Sequence, residues 1–252
     1  MIVTFLGTGT SQGIPVIACD CSVCTSVDYR DKRTRTSVHV AVDDLSLVID
    51  TGPDFRAQIL RERIKHLDAV LFTHEHKDHT AGMDDIRSFN FKQDLDMPVY
   101  AQKRVHEQLK KEFGYIFSDQ KYPGIPRVDL HEINGPFKIH DTLITPVEVM
   151  HYQLPVLGFR IGDFTYITDA KTIEPAELKK VKGSKVVVLN ALQKSSHISH
   201  LTLEEAVELA AQIGAEKTYL THISHKLGKQ HHIEKELPES VELAYDGLVV
   251  EV

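Results

Sequence analysis

The sequence predicts an α/β fold in which two packed, mixed β-sheets are flanked by helices, an αββα sandwich. Apolar, β-branched runs alternate with amphipathic helical patterns, without a linker or low-complexity segment. The stretch 128–169 is especially rich in strand patterns. With 252 residues, 42% of them hydrophobic, the chain can bury a large core. We therefore expect one domain over residues 1–252.

In the first half, strands are expected wherever short apolar and β-branched runs occur. These runs are residues 2–6, Ser37–Val42, Leu45–Ile49, 69–72 and 99–100. Asp43 and Asp44 form the turn of a hairpin. Helical periodicity covers residues 55–64, the region around 83–91, and 105–113. Pro53 and Asp54 suit the start of the first helix. The segment 113–126, rich in glycine and proline, is expected to be irregular and to lie over the substrate pocket.

In the second half, Gly162 and Asp163 predict a hairpin turn within the strand-rich stretch. Helices and strands then alternate: helix Pro175–Val181, strand 185–189, helix Leu203–Ile213, strand 218–220 and a final pair of strands ending at Val252. Thr202 and Glu205 form a capping box at the start of the second of these helices.

The segment 73–79 carries the pattern H-x-H-x-D-H, with His74, His76, Asp78 and His79 directly after an apolar strand. Four metal-binding side chains within six residues are typical of a metal site where a strand turns into a helix. His74 and His76 would face one ion, and Asp78 and His79 a neighbouring one.

Three further candidates each follow a β-rich run: His151, Asp169 and His222. Strand ends carry functional residues disproportionately often. Together with the H-x-H-x-D-H segment, these residues predict two metal sub-sites that share Asp169 as a bridging carboxylate.

This ordered set resembles the metallo-β-lactamase superfamily of binuclear hydrolases, over nearly the whole chain. The resemblance implies that His74, His76 and His151 hold one divalent ion, and that Asp78, His79 and His222 hold the other, with Asp169 between them. The imidazole and carboxylate ligands suit zinc or manganese, and ligand type alone does not exclude iron. Diiron redox members of the superfamily carry a carboxylate at the position of His76, so histidine here favours hydrolysis.

Three cysteines, Cys19, Cys21 and Cys24, follow a C-x-C-x2-C spacing. Three thiolates need a fourth ligand to close a tetrahedral zinc site, and His225 is the best candidate. We therefore predict one structural zinc ion. These residues are similar to those of the PhnP-like cyclic phosphodiesterases, which are related to transfer-RNA 3′-processing nucleases. The resemblance also implies a homodimer.

His200, in a loop before the helix at Leu203, is the main candidate for a catalytic residue outside the metal ligands. Its H-x-T context resembles the phosphodiesterase branch, in which the histidine donates a proton to the leaving oxygen. His197 is the competing donor. Asp78 is also expected to take part in catalysis.

Three other motifs have more than one interpretation. The glycine-rich segment 7–13 lacks a dinucleotide-binding spacing and favours a tight turn beside the metals. Arg33 and Arg35 would either bind a phosphate or belong to a solvated turn. Asp84, Asp85 and Arg87 would either line the pocket or orient ligand histidines.

The net charge of −7 argues against an extended nucleic-acid-binding surface, while still allowing nucleotides. No apolar run is long enough to span a membrane, and the start of the chain does not resemble a signal peptide. We therefore expect a cytoplasmic protein.

The predicted function is hydrolysis of a small, cyclic phosphodiester such as a cyclic nucleotide or a cyclic ribose phosphate. A transfer-RNA 3′-processing endonuclease and a thioester or lactone hydrolase are alternatives on the same fold. A non-enzymatic nucleic-acid-binding module would require clustered basic and aromatic residues, which the sequence lacks.

Overall fold

A computed structural model describes residues 1–119 and 122–252. It confirms the predicted αββα architecture: two mixed β-sheets lie face to face, and helices cover both outer surfaces. The segment 113–126 contains a helical turn at Gly114–Phe117, and its residues 120 and 121 lie outside the described part.

The first sheet has seven strands in the order β15-β1-β2-β3-β4-β5-β6. Their bounds are β1 Ile2–Gly7, β2 Ser37–Val42, β3 Leu45–Ile49, β4 Ala69–Leu71, β5 Met97–Ala101, β6 Val128–Glu132 and β15 Val249–Glu251. Strands β3 to β6 run parallel to one another, whereas β15, β1, β2 and β3 alternate in direction.

The second sheet has eight strands, in the order β11-β8-β9-β10-β12-β13-β14, with β7 also paired to β8. Their bounds are β7 Phe137–Ile139, β8 Thr142–His151, β9 Leu154–Ile161, β10 Phe164–Tyr166, β11 Thr172–Ile173, β12 Val186–Asn190, β13 Lys217–Thr221 and β14 Val241–Leu243. The predicted turn at Gly162 joins β9 to β10.

Eight α-helices connect the strands in the described part of the chain. They are α1 Phe55–Arg61, α2 Lys77–Thr80, α3 Arg87–Gln93, α4 Lys103–Glu112, α5 Gly114–Phe117, α6 Pro175–Val181, α7 Leu203–Ile213 and α8 Gln230–Ile233. Short 3-10 turns occur at Tyr29–Asp31, Met83–Ile86 and Glu234–Glu236. The predicted capping box of Thr202 and Glu205 is present at the start of α7.

Three apolar clusters fill the layers. Phe5, Phe159 and Tyr166 lie fully buried between the sheets. A second cluster packs α1, α3 and α4 on the outside of the first sheet, and a third packs α6 and α7 on the outside of the second. In the described residues, no helix is long and apolar enough to cross a lipid bilayer.

The two final strands are present as predicted, with β14 beside β13 in the second sheet and β15 beside β1 in the first. One predicted element requires correction. Helix α1 ends at Arg61, earlier than predicted, and Arg63 has a left-handed φ of 56°. The periodicity continues past this point, but the backbone reverses to enter β4.

The topology brings several strand ends to one edge of the sandwich. Parallel strands β3, β4, β10, β12 and β13 each end near a polar side chain: Asp50, His74, Asp169, Asn190 and His222. Because parallel strands of a sheet end at the same edge, residues far apart in sequence meet there.

Candidate active site

The H-x-H-x-D-H segment forms the floor of the site. His74 follows β4, and His79 lies on α2, so the segment turns sharply between a strand and a short helix. Both imidazoles are fully buried. Nε2 of His74 lies 3.0 Å from Nδ1 of His76. The buried ring of His74 and the exposed ring of His76 therefore point nitrogens at one position.

Asp169 lies at the centre of the cluster. One carboxylate oxygen is 3.3 Å from Nε2 of His79, and the other is 3.3 Å from Nε2 of His222. Oδ2 of Asp78 lies 3.4 Å from the first nitrogen and 3.6 Å from the second. Burial disfavours the charged form of Asp169, but His222 and His79 outweigh it and hold its pKa well below the usual range.

The buried Nε2 atoms of His79 and His222 form no hydrogen bond with the described residues. Buried polar atoms are normally satisfied, so unpaired nitrogens beside two carboxylates need an explanation. Imidazole nitrogens and carboxylate oxygens at such spacings are the donors that bind zinc and similar ions. The residues therefore fit a divalent metal.

The opposite nitrogens of three histidines are held by the protein. Nδ1 of His79 lies 2.7 Å from Asp50, and Nδ1 of His151 lies 3.0 Å from the carbonyl of Ser199. The Thr73 hydroxyl donates to Asp50 and can accept from Nδ1 of His74 at 3.0 Å. These contacts leave Nε2 of each ring for a metal, as in most protein metal sites.

All seven predicted ligands lie at this edge. They do not separate into the two predicted sub-sites, because His79 and Asp169 each belong to more than one group of neighbouring ligand atoms. Ligand atoms come within 4.8 Å of one another in three groups. The groups are His74, His79 and Asp169; Asp78, His79 and His222; and His151, Asp169 and His200. His76 joins through its contact with His74, and its ring centroid lies 5.2 Å from that of His151.

His200 lies against the cluster rather than apart from it. Its ring centroid is 4.5 Å from that of His151 and 4.7 Å from that of His222, and its Nδ1 lies 3.8 Å from Asp169. Burial, followed by the influence of His222, lowers the pKa of His200 to about 3. His197 lies farther out, with its ring centroid 5.2 Å from that of His200.

Asp50 is a site residue that the sequence analysis missed. Besides His79, it accepts hydrogen bonds from the backbone N–H and the hydroxyl of Thr73. Asp50 directly follows a buried strand, and this position, which resembles those of His74 and Asp169, could have identified it from the sequence. By contrast, Asp84 pairs with Arg87 and accepts a hydrogen bond from Tyr115.

Three site residues have left-handed backbones: Asp50, Asp169 and His222, with φ of 66°, 56° and 54°. Such conformations are costly for residues with a side chain and cluster at functional sites. The side chain of Asn190 bonds both backbone groups of Ala170 and thereby holds the turn that carries Asp169.

The predicted zinc ligands form a second cluster. The sulfurs of Cys19, Cys21 and Cys24 lie 3.2, 3.4 and 3.5 Å from Nδ1 of His225. The backbone N–H of Cys24 donates to the sulfur of Cys21, whose pKa is lowered to about 6, while burial raises the pKa of Cys24 to about 11. Three thiols around one imidazole nitrogen fit a tetrahedral zinc ion.

Neither arginine of the segment 32–36 faces the metal cluster. Arg33 is buried and donates to Thr8, to the carbonyl of Ala244 and to Gln230. Arg35 pairs with Asp54. The glycine-rich turn nevertheless supports the site, because the N–H of Thr10 donates to Ile223, next to His222.

A cleft of about 460 Å³ opens beside His76 and His151. Its other lining residues are Tyr152, Gln153, Leu154, Ile198 and Ser199. This cleft gives a small molecule access to the histidine and aspartate cluster.

Comparison with protein families places this geometry in context. Residues 46–223 match the family model described as "Beta-lactamase superfamily domain". A solved structure described as a new diphosphatase from the PhnP family superimposes with a TM-score of 0.93 and 38% sequence identity. The match covers 100% of this chain and 97% of that one.

Two similar proteins are named for two different activities. An octanoyltransferase of Porphyromonas gingivalis is 40% identical over 96% of this chain, but this chain spans only 50% of that protein's length. A ribonuclease Z of Methanopyrus kandleri is 23% identical over 100% of this chain and 98% of its own.

Proposed function

The chain belongs to the beta-lactamase superfamily and to its PhnP family, and from this premise we propose that it is a binuclear metal-dependent phosphodiesterase. Its substrate is a small, cyclic phosphodiester. The membership supports a metal-dependent hydrolase of this fold, and the phosphodiester specificity is our inference from the site.

One observation carries the proposal. The carboxylate of Asp169 lies 3.3 Å from Nε2 of both His79 and His222, and neither nitrogen has a hydrogen-bond partner among the described residues. His79 and His222 belong to one proposed sub-site, and the ligand atom of Asp169 also lies within 4.8 Å of those of His74 and His151, which belong to the other. A carboxylate that reaches ligands of both sub-sites suits a ligand shared by two ions. We assign His74, His76 and His151 to one ion, and Asp78, His79 and His222 to the other.

Two zinc or manganese ions would supply a hydroxide nucleophile near neutral pH and neutralise charge on the phosphoryl oxygens. The protein supplies the remaining parts. Asp50, Ser199 and Thr73 fix the orientation of the ligand imidazoles. Asp78 would hold the same ion as His79 and His222, which its carboxylate contacts, and would thereby take part in catalysis.

His200 is the proposed proton donor to the departing oxygen. Its ring packs against those of His151 and His222, and its chain neighbour Ser199 lines the cleft. With a pKa of about 3, its imidazole is neutral at pH 7 in the free site. A bound phosphodiester anion favours the imidazolium and thus raises this pKa toward the working range.

Charge argues for a small substrate rather than a transfer-RNA precursor. The chain carries a net charge of −7, and no lysine or arginine is among the described residues that line the cleft. Proteins that grip long nucleic acids need several cations along the phosphate path. Two further substrate classes follow from the names of relatives: diphosphate esters from the PhnP-family diphosphatase, and acyl groups from the octanoyltransferase.

A substrate panel tests the proposal. The zinc- or manganese-loaded protein is assayed with a 2′,3′-cyclic nucleotide, a cyclic ribose phosphate, a diphosphate ester, an octanoyl thioester and a transfer-RNA precursor. We expect the cyclic phosphodiesters to give the highest kcat/KM. Preference for the thioester or the RNA would overturn the assignment, and preference for the diphosphate ester would replace the substrate class.

Two variants control for contaminating enzymes. Asp169→Ala should lose the activity, because the shared ligand is gone. Asp163→Ala changes a half-buried aspartate that pairs with Lys185 at the β9–β10 turn, and this variant should keep the activity.

A further inference from the structure

The cleft beside His76 and His151 has an unusual lining for a site that takes a phosphate ester. Its other five residues, Tyr152, Gln153, Leu154, Ile198 and Ser199, are all uncharged. An anionic group therefore finds its counter-charge only on the metal side of the cleft. The uncharged walls of the rest of the cleft suit a neutral part of the substrate.

Two large apolar side chains stand exposed on opposite loops of this cleft. Tyr152 is 55% exposed in the β8–β9 turn, and Ile198 is 66% exposed in the loop between β12 and α7. Among the described residues, no ring and no hydrogen-bonding group contacts the Tyr152 side chain. Exposed apolar side chains that line one cleft are a common mark of a binding site.

The two loops are held together. Nδ1 of His151 donates to the carbonyl of Ser199, which joins the Tyr152 turn to the Ile198 loop at 3.0 Å. Arg104 donates to both Glu75 and the carbonyl of Pro155, which fixes the start of β9. Tyr152 itself has a left-handed φ of 57°. Its ring is thus presented from a constrained backbone, which lowers the entropy lost on binding.

We infer that Tyr152 and Ile198 bind a planar heteroaromatic base between them, so that the substrate is a nucleotide rather than a base-free sugar phosphate. The inference rests on the proposed phosphodiesterase function and names the substrate class within it. Aromatic side chains stack on bases of any sequence, because every base has a π-face. The amide of Gln153 offers both a donor and acceptors to the base edge.

The geometry gives each part of such a nucleotide a place. The phosphate lies toward His76 and His151, and the base lies toward Tyr152 and Ile198. These two parts of the cleft adjoin, because the proposed ligand His151 and the base-binding Tyr152 are neighbours in the chain. A cyclic ribose phosphate without a base leaves the apolar walls unfilled. Tyr152 acts here as a specificity-determining residue, since it is remote from the reacting bond.

Kinetics with paired substrates measure the inferred role. The ratio of kcat/KM for a 2′,3′-cyclic nucleotide over that for a base-free cyclic ribose phosphate should fall about 10-fold or more in Tyr152→Ala. The fall should come through KM for the nucleotide, and Tyr152→Phe should restore the ratio. Leu143→Ala, which removes another exposed side chain from β8, is the matched control and should not change the ratio.

A binding assay gives a readout that needs no turnover. The chain contains no tryptophan, so Tyr152→Trp introduces a single indole at the cleft. Its fluorescence should be quenched by a nucleoside monophosphate, and not by ribose 5-phosphate at the same concentration. In a double variant that also carries Ile198→Ala, the nucleotide concentration for half-maximal quenching should rise.

The outcomes separate this inference from the proposed function. If the wild type prefers the nucleotide and Tyr152→Ala loses that preference, the inference holds. If the wild type cleaves both substrates equally well, or Tyr152→Ala keeps its preference, the inference is wrong although the phosphodiesterase function stands. If no phosphodiester is cleaved but the indole is quenched only by the nucleotide, the base site stands and the proposed function fails. Absence of quenching by the nucleotide contradicts the base site.

Discussion

Nδ1 of His79 lies 2.7 Å from the carboxylate of Asp50, and both side chains are fully buried. Asp50 follows β3 and His79 lies on α2, so the contact joins two neighbouring parallel strands of the first sheet through the segments that follow them. The hydrogen bond fixes which nitrogen of His79 remains free. Asp50 therefore supports the proposed metal centre without facing the ions itself.

Asp50→Asn should weaken metal binding, because the amide is a poorer acceptor for the imidazole N–H than a carboxylate. Loss of such a supporting partner typically lowers metal affinity or activity by about 10- to 100-fold. Metal titration and kcat/KM measure the effect. Asp44→Asn, at the exposed β2–β3 turn, is the control. Wild-type affinity in Asp50→Asn would show that the contact only supports the fold.

Asp169→Ala should abolish hydrolysis and lower the metal content, because each ion loses a shared anionic ligand. Elemental analysis of the purified variant and turnover of the best phosphodiester measure these effects. A variant that retains two ions per chain and full activity would refute the bridging role.

Cys21→Ser should lose the zinc ion of the cysteine cluster and lower the melting temperature by roughly 5 °C or more, because structural zinc contributes folding free energy. The folded fraction should stay active, since backbone bonds from Ile223 to Thr8 and from Ser224 to Leu192 hold the His222 segment independently of His225.

Zinc content and thermal denaturation measure this prediction. Ser22→Ala changes an exposed residue of the same loop and serves as the control. Free reaction of Cys21 with thiol reagents in the wild type, or an absence of zinc there, would contradict the structural site.

His200→Ala should slow hydrolysis of a cyclic phosphodiester by about 100-fold or more, because an alkoxide leaving group needs a proton. An activated aryl phosphodiester should be affected much less, since nitrophenolate departs unaided. Metal content should stay unchanged.

Metal analysis distinguishes a proton donor from a metal ligand at His200. The ligand atoms of His200, His151 and Asp169 lie within 4.8 Å of one another. A loss of metal would make His200 an eighth ligand instead. Equal slowing on both substrates would point to phosphate positioning, and a larger effect in His197→Ala would transfer the donor role to that residue.

The sequence by itself determined the fold class and the ligand candidates. The H-x-H-x-D-H segment, the strand-end residues His151, Asp169 and His222, and the cysteine spacing are local patterns. Their chemistry is visible in the side chains, and their placement follows from the rule that apolar runs become strands. Helices Pro175–Val181 and Leu203–Ile213 have the predicted bounds because periodicity agrees with a proline at the start of the first and a capping box at the start of the second.

Only the tertiary structure decided how distant segments pair. The sequence could not show that β14 and β15 join different sheets, because strand pairing depends on long-range contacts rather than on local propensity. Arg33 gave no sign of burial, since its partners Thr8, Gln230 and Ala244 come from three separate segments. The supporting role of Asp50 and the cleft that Tyr152 and Ile198 line also depend on contacts between distant segments. Each is defined by which loops meet at the shared edge of the sheets, and that meeting is set by packing of the whole sandwich.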